Sequence, residues 1–520
     1  MNQIWNIFRK DLHHHWPEIA ASLALLVAFA WLDIRSWTQP AGAKATGTLA
    51  VFLSAEMLPS LVDVLLPLSW ILLIVRVVQG ESLVGDRQFW VTRPYDWKQL
   101  VAAKALFVLA FIDLPLLLAG AFLLAHAGLH PTHFIVGLLW IQLFWILVLF
   151  LWMAALATVT NNIAQMLLAV LFIVLDVIGT SALSSIIRKS NSSGDVDLWW
   201  GLLVIGVAVA IIFLQYSRRK TALSRWMVVG ICALLTLISV ASSRATPPDR
   251  ASILREYPIS SGNPPTELGL IRTDTHGGAF APIYDEEVSI QLPLSVSGIP
   301  NKSFLRLDGM IVTITNAKGF HWDSGWKTDS QWLFPEQQTA NLFFQIKQDI
   351  FNQLNSEPVT AHLLLAFTLY RDRNRQRFVV PSGKFSLPEV GICTTELQYS
   401  RGIRCLAPLR RPAFLLVTSQ STASTCPLDG AETSGSDGVF LHAFVQGSPE
   451  PAEMGISPVV QFDINLSDWD SFAVRAVSPG VCPGTPLTLS NPEQTGRRSI
   501  ELQIDNLSLG NFRQRLPTGR

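Results

Sequence analysis

Three carboxyl groups and one amide lie in stretches of sequence that are otherwise apolar. Asp113 lies in FIDLPLL, Asp176 in VLDVIG and Gln142 in WIQLFW, while Asp63 precedes Pro67 near one end of another apolar run. Ionisable side chains within a membrane are costly and often functional. These residues predict either a polar translocation path, or a lock between Asp113 and Asp176. The alternative is that each carboxyl is protonated or hydrogen-bonded to a neighbouring helix and serves only packing.

Three histidines in the stretch HAGLHPTH are spaced so that their imidazoles could share a metal ion. His126, His130 and His133 are four and three residues apart, and imidazole is a common ligand of transition metals. However, Pro131 breaks a helix between them, and no nearby carboxylate completes the set. The sequence favours a short polar loop at a membrane interface, and we interpret the histidines at 13–15 as an interfacial polar face.

Four of the five cysteines lie in the second half of the chain, at Cys393, Cys405, Cys426 and Cys482, and Cys232 lies in the last apolar run. An even set is consistent with two disulfides if this half of the chain is extracytoplasmic, which the orientation given below predicts. Three pairings are open, of which Cys393–Cys405 would close a short loop. CxxC spacing is absent, which favours disulfides over a zinc site.

The chain lacks the short motifs of common hydrolases and nucleotide-binding proteins. It has no GxxxxGK[ST] loop, no GxSxG and no HExxH. His321, His362 and His442 are scattered, and single histidines on strands usually belong to the polar face. The sequence predicts that the chain is not an enzyme and has no metal site or cofactor of its own.

The elements that carry these residues divide into two halves of different composition. Of 520 residues, 49% are apolar and only 15% are charged, against about 25% charged in ordinary globular proteins. The net charge is zero, so nothing indicates a nucleic-acid partner. The composition predicts an interfacial amphipathic helix (1–15), a transmembrane domain (16–240), a linker (241–282) and a β-rich extracytoplasmic domain (283–520).

Seven apolar runs are candidates for helices that cross the bilayer, which needs roughly 17–25 residues. The first and last are short, so six to seven spans are predicted, and tryptophans lie near many of the run ends as interfacial anchors do. The runs are Trp16–Leu32, Leu58–Val75, Ala105–Ala125, Phe134–Leu156, Ile163–Leu183, Leu198–Leu214 and Trp226–Val240.

Basic residues predict the orientation of these spans. With the N-terminus cytoplasmic, eleven Lys and Arg residues lie in inside loops and four in outside loops, as the positive-inside rule requires. Ahead of the first span, Ile4, Ile7, Phe8 and Leu12 have helical spacing, with Asp11 assigned mostly to the other face, which is typical of a helix lying along the interface. The predicted localisation is the cell (inner) membrane, multi-pass, with the C-terminal domain outside.

The loop after the second span, residues 80–104, is called the inner loop here. It combines charged residues with Phe89, Trp90, Tyr95 and Trp97, and aromatic residues and arginine are enriched at binding hot spots. Proline after Arg93 should end a short helix. Two interpretations remain: a docking surface for a partner, or a basic loop anchored by interfacial tryptophans.

The helix IWNIFRKDL, two spans and the inner loop together resemble an ABC-2 type transporter permease. The family segment "E…G…R…TRP…LVAAK" corresponds here to Glu81, Gly85, Arg87, 92–94 and 100–104. The resemblance covers about residues 1–215 and implies a coupling helix that docks on a separate ATPase subunit. A seventh span and the large outer domain depart from the usual six-span pattern. The implied docking residues are Glu81, Asp86, Arg87, Trp90, Arg93, Pro94 and Lys98.

The second half alternates apolar and polar residues, for example from Val288 to Val296, which is the period of a half-buried strand. One stretch, ANLFFQIKQDIFNQL, has helical spacing from Phe343 to Leu354. Short strands with turn-rich connections predict an antiparallel β-sandwich, either one large or two small. The fold class is therefore an α-helical membrane domain followed by a β-sandwich-like domain.

Two functional hypotheses follow. The first is a permease subunit of an ABC-2 type export system, paired as a homodimer or with a second permease and driven by ATP bound to a cytoplasmic ATPase. The second is a non-transporting membrane protein whose outer β-domain binds or senses a ligand or partner. A membrane-bound enzyme is a weaker third.

Overall fold

The computed structural model describes most of the chain. The described residues are 2–38, 57–80, 97–187, 198–218, 220–243, 250–259, 267–270, 287–300, 302–329, 331–335, 339–355, 357–373, 375–387, 390–395, 403–411, 415–420, 440–445, 455–464, 481 and 483–513.

The first half is α-helical. Within the described residues, seven helices are long and apolar enough to cross a membrane, so the chain is a multi-pass membrane protein. A shorter helix, α1, precedes them and bends into α2 at His15. The helices are α1 Asn2–His14, α2 Trp16–Thr38, α3 Met57–Gln79, α4 Trp97–His126, α5 Pro131–Val159, α6 Ile163–Ile187, α7 Leu198–Arg218 and α8 Thr221–Ser243.

Two of the spans contain one π-helical turn each, at Leu109–Asp113 in α4 and Ile146–Phe150 in α5. In α4 the backbone N–H of Leu114 bonds the carbonyl of Leu109. The next residue, Pro115, has no N–H and its ring crowds the preceding turn. The wider turn accommodates this crowding within a continuous helix. It also places Asp113 at an irregular point in the middle of the span.

The second half is an antiparallel β structure. Two short helices, α9 Arg250–Glu256 and α10 Gln348–Leu354, accompany seventeen strands among the described residues. The strands are β1 Glu267–Leu270, β2 Glu287–Ser297, β3 Ser303–Asn316, β4 His321–Asp323, β5 Lys327–Thr328, β6 Trp332–Leu333, β7 Thr339–Lys347, β8 Val359–Arg371, β9 Gln376–Val379, β10 Lys384–Leu387, β11 Gly391–Thr394, β12 Ile403–Pro408, β13 Leu415–Gln420, β14 Phe440–Val445, β15 Val459–Ile464, β16 Pro486–Ser490 and β17 Glu493–Leu507.

These strands form two small sandwiches, which decides between the two predicted alternatives. In the first sandwich, sheet β1-β2-β7 faces the sheet β17-β8-β3-β4 across a shared apolar core. In the second, sheet β10-β11-β12-β15 faces the sheet β14-β13-β16-β9. Phe304, Trp332, Phe334, Tyr370 and Leu416 pack together where the two sandwiches meet.

The helix predicted over ANLFFQIKQDIFNQL is wrong in its first part. Phe343 and Ile346 belong to β7, which pairs with β2 over nine residues, and only 348–354 is helical. The alternating inner side chains of β2 supply a tertiary partner that overrides the local helical spacing. The predicted linker likewise contains structure, namely α9 and β1.

The helical bundle has two distinct ends. At one end, called the α1 end, helix α1 packs against the start of α4 and the end of α7. At the other, called the sandwich end, Ile456 and Val459 of the second sandwich join the apolar core of the helices. Both flanks of the inner loop, Gly80 and Trp97, lie at the α1 end.

Candidate functional site

Helix α1 is fixed to the bundle by an apolar face. Ile7 and Phe8 are buried, and Ile7 packs with Leu100, Ala103 and Tyr216 from two spans. Between helices in a membrane, such contacts stabilise the structure through van der Waals packing. The contact holds α1 against the first turns of α4, which form the last part of the inner loop.

A buried ion pair lies within this apolar contact. Lys104 Nζ donates to Asp11 Oδ2 at 2.7 Å, and the two side chains are only 8% and 6% exposed. The prediction that Asp11 lies mostly away from the apolar face is wrong. Asp11 follows Ile7 by four residues and Phe8 by three, so all three share one helical face. Lys104, the last residue of the family-like segment, gives that carboxylate its partner.

The other flank of the inner loop contacts the junction between α1 and α2. A Cβ built on Gly80 would lie 3.6 Å from Nε2 of His15 and 3.1 Å from the carbonyl of Arg76. His15 is buried, and burial lowers the pKa of its imidazole, which favours the neutral ring. Both flanks of the inner loop therefore meet one unit, formed by α1 and the start of α2.

Most of the predicted docking residues, namely Glu81, Asp86, Arg87, Trp90, Arg93 and Pro94, lie outside the described residues. Lys98 is described: it is exposed on the first turn of α4, with Nζ 5.9 Å from the centre of the Trp97 ring. The role of these residues stays a prediction.

The last turn of α5, also at the α1 end, is held by side chains from three other helices. Gln215 donates to the carbonyl of Thr158 at 3.1 Å, Arg225 to that of Val159 at 3.4 Å, and Gln79 to the hydroxyl of Thr160 at 2.9 Å. The final carbonyls of a helix have no partner within it and carry partial negative charge. These contacts join α3, α5, α7 and α8 at the same end as the inner loop.

In the middle of the bundle, Asp113 is 3% exposed, and neither carboxyl oxygen has a hydrogen-bond partner. Gln142 Nε2 donates instead to the backbone carbonyl of Asp113 at 2.9 Å. The structure thus brings together two of the polar residues that the sequence singled out, through the backbone carbonyl of Asp113.

The proposed lock between Asp113 and Asp176 is not formed. Both carboxyl oxygens of Asp176 accept from the hydroxyl of Thr236, at 3.0 and 3.1 Å, which ties α6 to α8. Asp63 is exposed on α3. Whether the four polar residues line a translocation path stays a prediction.

The sandwich end contains contacts that local sequence patterns do not indicate. Ser457 donates to Asp33 Oδ2 at 2.7 Å. A Cβ on Gly137 in α5 would lie 2.0 Å from Cδ1 of Leu409, so the missing side chain makes room for the second sandwich. Leu409 itself has φ +67, a conformation that costs about 1–3 kcal/mol and persists where surroundings hold it.

The structure tests part of the cysteine and histidine predictions. Cys393 and Cys405 form a disulfide, lie opposite each other on β11 and β12, and are fully buried. Cys426 and Cys482 lie outside the described residues.

The rings of His130 and His133 are 5.8 Å apart, and His126 stacks on Phe122. No metal-binding group of three His, Cys, Asp or Glu exists within the described parts of the chain.

No protein-family model matches this chain, and no curated protein matches it. The resemblance to ABC-2 type permeases therefore depends on the motifs and topology of residues 1–215 alone.

Proposed function

We propose that this chain is the membrane-spanning permease subunit of an ABC-2 type export system, with a separate ATPase docking on the inner loop. In this proposal the α1 end faces the cytoplasm of the cell membrane, and the sandwiches lie outside. ATP is bound by the partner, and two permease subunits, either identical or different, form the translocation unit.

The observation that carries the proposal is the attachment of both flanks of the inner loop to one unit. Gly80 packs against His15, and Lys104 is paired with Asp11. Movement of a partner bound to the loop would reach α4 through its first turn and α1 through the ion pair. An ordinary anchoring loop has no need of a buried charge pair at its exit.

The same arrangement offers a route for movement across the membrane. Helix α4 begins at the inner loop and ends beside the second sandwich, where a Cβ on Gly128 would lie 2.7 Å from Cδ1 of Ile392. Asp113 lies between these ends at the π turn. A tilt of α4 would displace both the buried Asp113 carboxyl and the contact near Gly128 against which the second sandwich packs.

The test is a pull-down of the intact protein from its own host in mild detergent, with partners identified by mass spectrometry. The double variant Trp90→Ala/Arg93→Ala is compared with the control Trp226→Ala/Arg218→Ala, which removes an exposed tryptophan and arginine from the same end. A stoichiometric Walker-A ATPase that is lost only in the first variant supports the proposal. Equal recovery in both variants would refute docking on the inner loop.

The second candidate is a non-transporting membrane protein whose outer domain binds or senses a ligand. The packing of the second sandwich into the apolar core of the helices favours it, because ligand binding outside could then shift the spans. Absence of any ATPase from the pull-down would select this candidate over the exporter.

A further inference from the structure

A cleft of about 660 Å³ lies on the outward face of the first sandwich, which is within the usual range for small-molecule sites. Its floor is the sheet β4-β3-β8-β17, on the side opposite the apolar core. The side chains of Val312, Ile314 and Leu363 are buried on the core side, so their neighbours along each strand face the cleft.

Four polar side chains form a row across the floor. The strand registers place Asp323 opposite Thr313, Thr313 opposite His362, and His362 opposite Gln503. Four adjacent strands spaced about 4.8 Å apart make this row about 14 Å long. The row supplies a carboxylate, a hydroxyl, an imidazole and an amide, each from a different strand.

One acceptor in the row is held in place. Asp323 Oδ2 accepts from the Thr313 hydroxyl at 3.1 Å, and its Oδ1 accepts from the backbone N–H of Gly325 at 2.6 Å. Since each carboxylate oxygen has two lone pairs, both can still accept from a ligand.

Trp326 forms one wall of the cleft. Its ring lies over Gly309, where a Cβ would come within 2.3 Å of Cζ2, and it packs beside Tyr257. Glycine at 309 thus lets the indole lie close against the sheet. At the other wall, Arg250 is paired with Glu501 at 2.7 Å.

The charges of the lining argue against an anion. Among the described residues that line the cleft, Arg250 is the only lysine or arginine, and it is paired with Glu501. Asp323 adds a second carboxylate to the lining. The imidazoles and carboxylates also do not gather into a metal-binding group within the described residues. A peptide that adds to a sheet needs a strand edge, whereas the cleft presents side chains on a face.

We propose that this cleft binds a neutral, polyhydroxylated ligand, namely a saccharide. Hydroxyl groups both donate and accept hydrogen bonds, which matches the mixed row, and the indole offers an apolar surface for the C–H face of a sugar ring. The assignment is independent of any ATPase. The saccharide is either free in solution or the headgroup of a glycolipid, and the two sources share this chemistry.

The test uses the full-length purified protein on an array of neutral hexose and N-acetylhexosamine oligomers, followed by calorimetry with each oligomer that binds. Gln503→Ala and His362→Ala, both at exposed positions, should each weaken binding about fivefold through the lost hydrogen bond. The control Gln376→Ala removes an exposed glutamine from the second sandwich and should leave binding unchanged.

The two sources are separated by comparing the same sugar free and as the headgroup of a glycolipid in phosphatidylcholine vesicles. Either form of binding that depends on Gln503 supports the proposal, and the tighter form names the source. Absence of binding to every neutral oligomer and to the glycolipid, or equal binding by Gln503→Ala and Gln376→Ala, would overturn it. Neither result bears on the ATPase pull-down.

Discussion

The two ends of the helical bundle are held by different chemistry. At the α1 end, a buried ion pair and side chains bonded to helix carbonyls join the elements. At the sandwich end, the described contacts include close apolar packing at glycine and the hydrogen bond from Ser457 to Asp33. Polar contacts in a buried place are directional and fail together when one partner is lost. The stability that apolar packing contributes changes gradually, because neighbouring side chains can move to fill a cavity or to make room.

This difference suits the proposed roles of the two ends. In the proposed exporter, the α1 end would transmit movement of a partner through defined contacts, so one geometry must be selected. The sandwich end has only to carry a domain along with the spans, for which shape complementarity is sufficient. Each of the following changes tests one side of that contrast.

The largest effect is expected from Lys104→Ala at the α1 end. It leaves the Asp11 carboxylate buried without its partner, which typically costs about 3–5 kcal/mol. We expect a marked fall in the unfolding temperature of the detergent-solubilised protein and loss of α1 from the bundle, measured by protease sensitivity of residues 1–15.

The matched control is Arg373→Ala, which breaks an ion pair with Glu493 at 2.6 Å in which both side chains are more than half exposed. Surface pairs of this kind contribute about 0–1 kcal/mol. If the two variants lowered the unfolding temperature equally, the pair at the α1 end would not be the strong contact that the contrast requires.

At the sandwich end, Gly137→Val should destabilise the protein by about 1–3 kcal/mol through overpacking. The new side chain meets Leu409, whose Cδ1 lies 2.0 Å from the position of a Cβ. The double variant Gly137→Val/Leu409→Ala should recover much of this loss, because the space is shared. The unfolding temperatures of the single and double variants measure how strongly positions 137 and 409 are coupled.

A matched substitution is Gly206→Val in α7, where a Cβ would meet nothing within 4 Å. It should change stability much less than Gly137→Val. Failure of Leu409→Ala to rescue would show that the second sandwich does not rest on α5 at this point.

The spans and the disulfide were predictable because they depend on local sequence. An apolar run of bilayer length identifies a helix whatever its neighbours, and the structure has all seven. Cys393 and Cys405 are 12 residues apart on adjacent strands, so a short loop brings them together. Phe343 and Ile346 show the limit: their spacing fits a helix, but pairing with β2 makes them part of a strand.

The contacts that carry the site join residues far apart in sequence. Lys104 is 93 residues from Asp11, and Ser457 is 424 residues from Asp33. One sequence signal could have found the first: Asp11 lies on the same helical face as Ile7 and Phe8, and a charge on an apolar face needs a partner. No comparable signal exists for Leu409, because its contact depends on the space that Gly137 leaves.

A smaller effect is expected from Ser457→Ala, which removes the hydrogen bond that joins the second sandwich to Asp33 of α2. A single hydrogen bond contributes about 1 kcal/mol, so the unfolding temperature should fall slightly, and less than in Gly137→Val. A fall as large as that of Lys104→Ala would mean that a polar contact dominates the sandwich end as well, which would remove the contrast.

The smallest effect is expected at the connection between the last span and the first sandwich, and it depends on pH in alkali. Tyr257, at the end of α9, bonds Asp308, and burial with the nearby carboxylates raises the pKa of its phenol to about 12, from an ordinary value of about 10. The unfolded chain therefore releases this proton first, and the stability that the neutral phenol contributes is complete below about pH 10 and is lost as the pH rises to about 12. Tyr257→Phe should make the fall in unfolding temperature between pH 10 and 11 shallower than in the unchanged protein, while at pH 8 it costs only the one hydrogen bond. Equal slopes for the two proteins would show that Tyr257 does not hold α9 to the sheet in its neutral form.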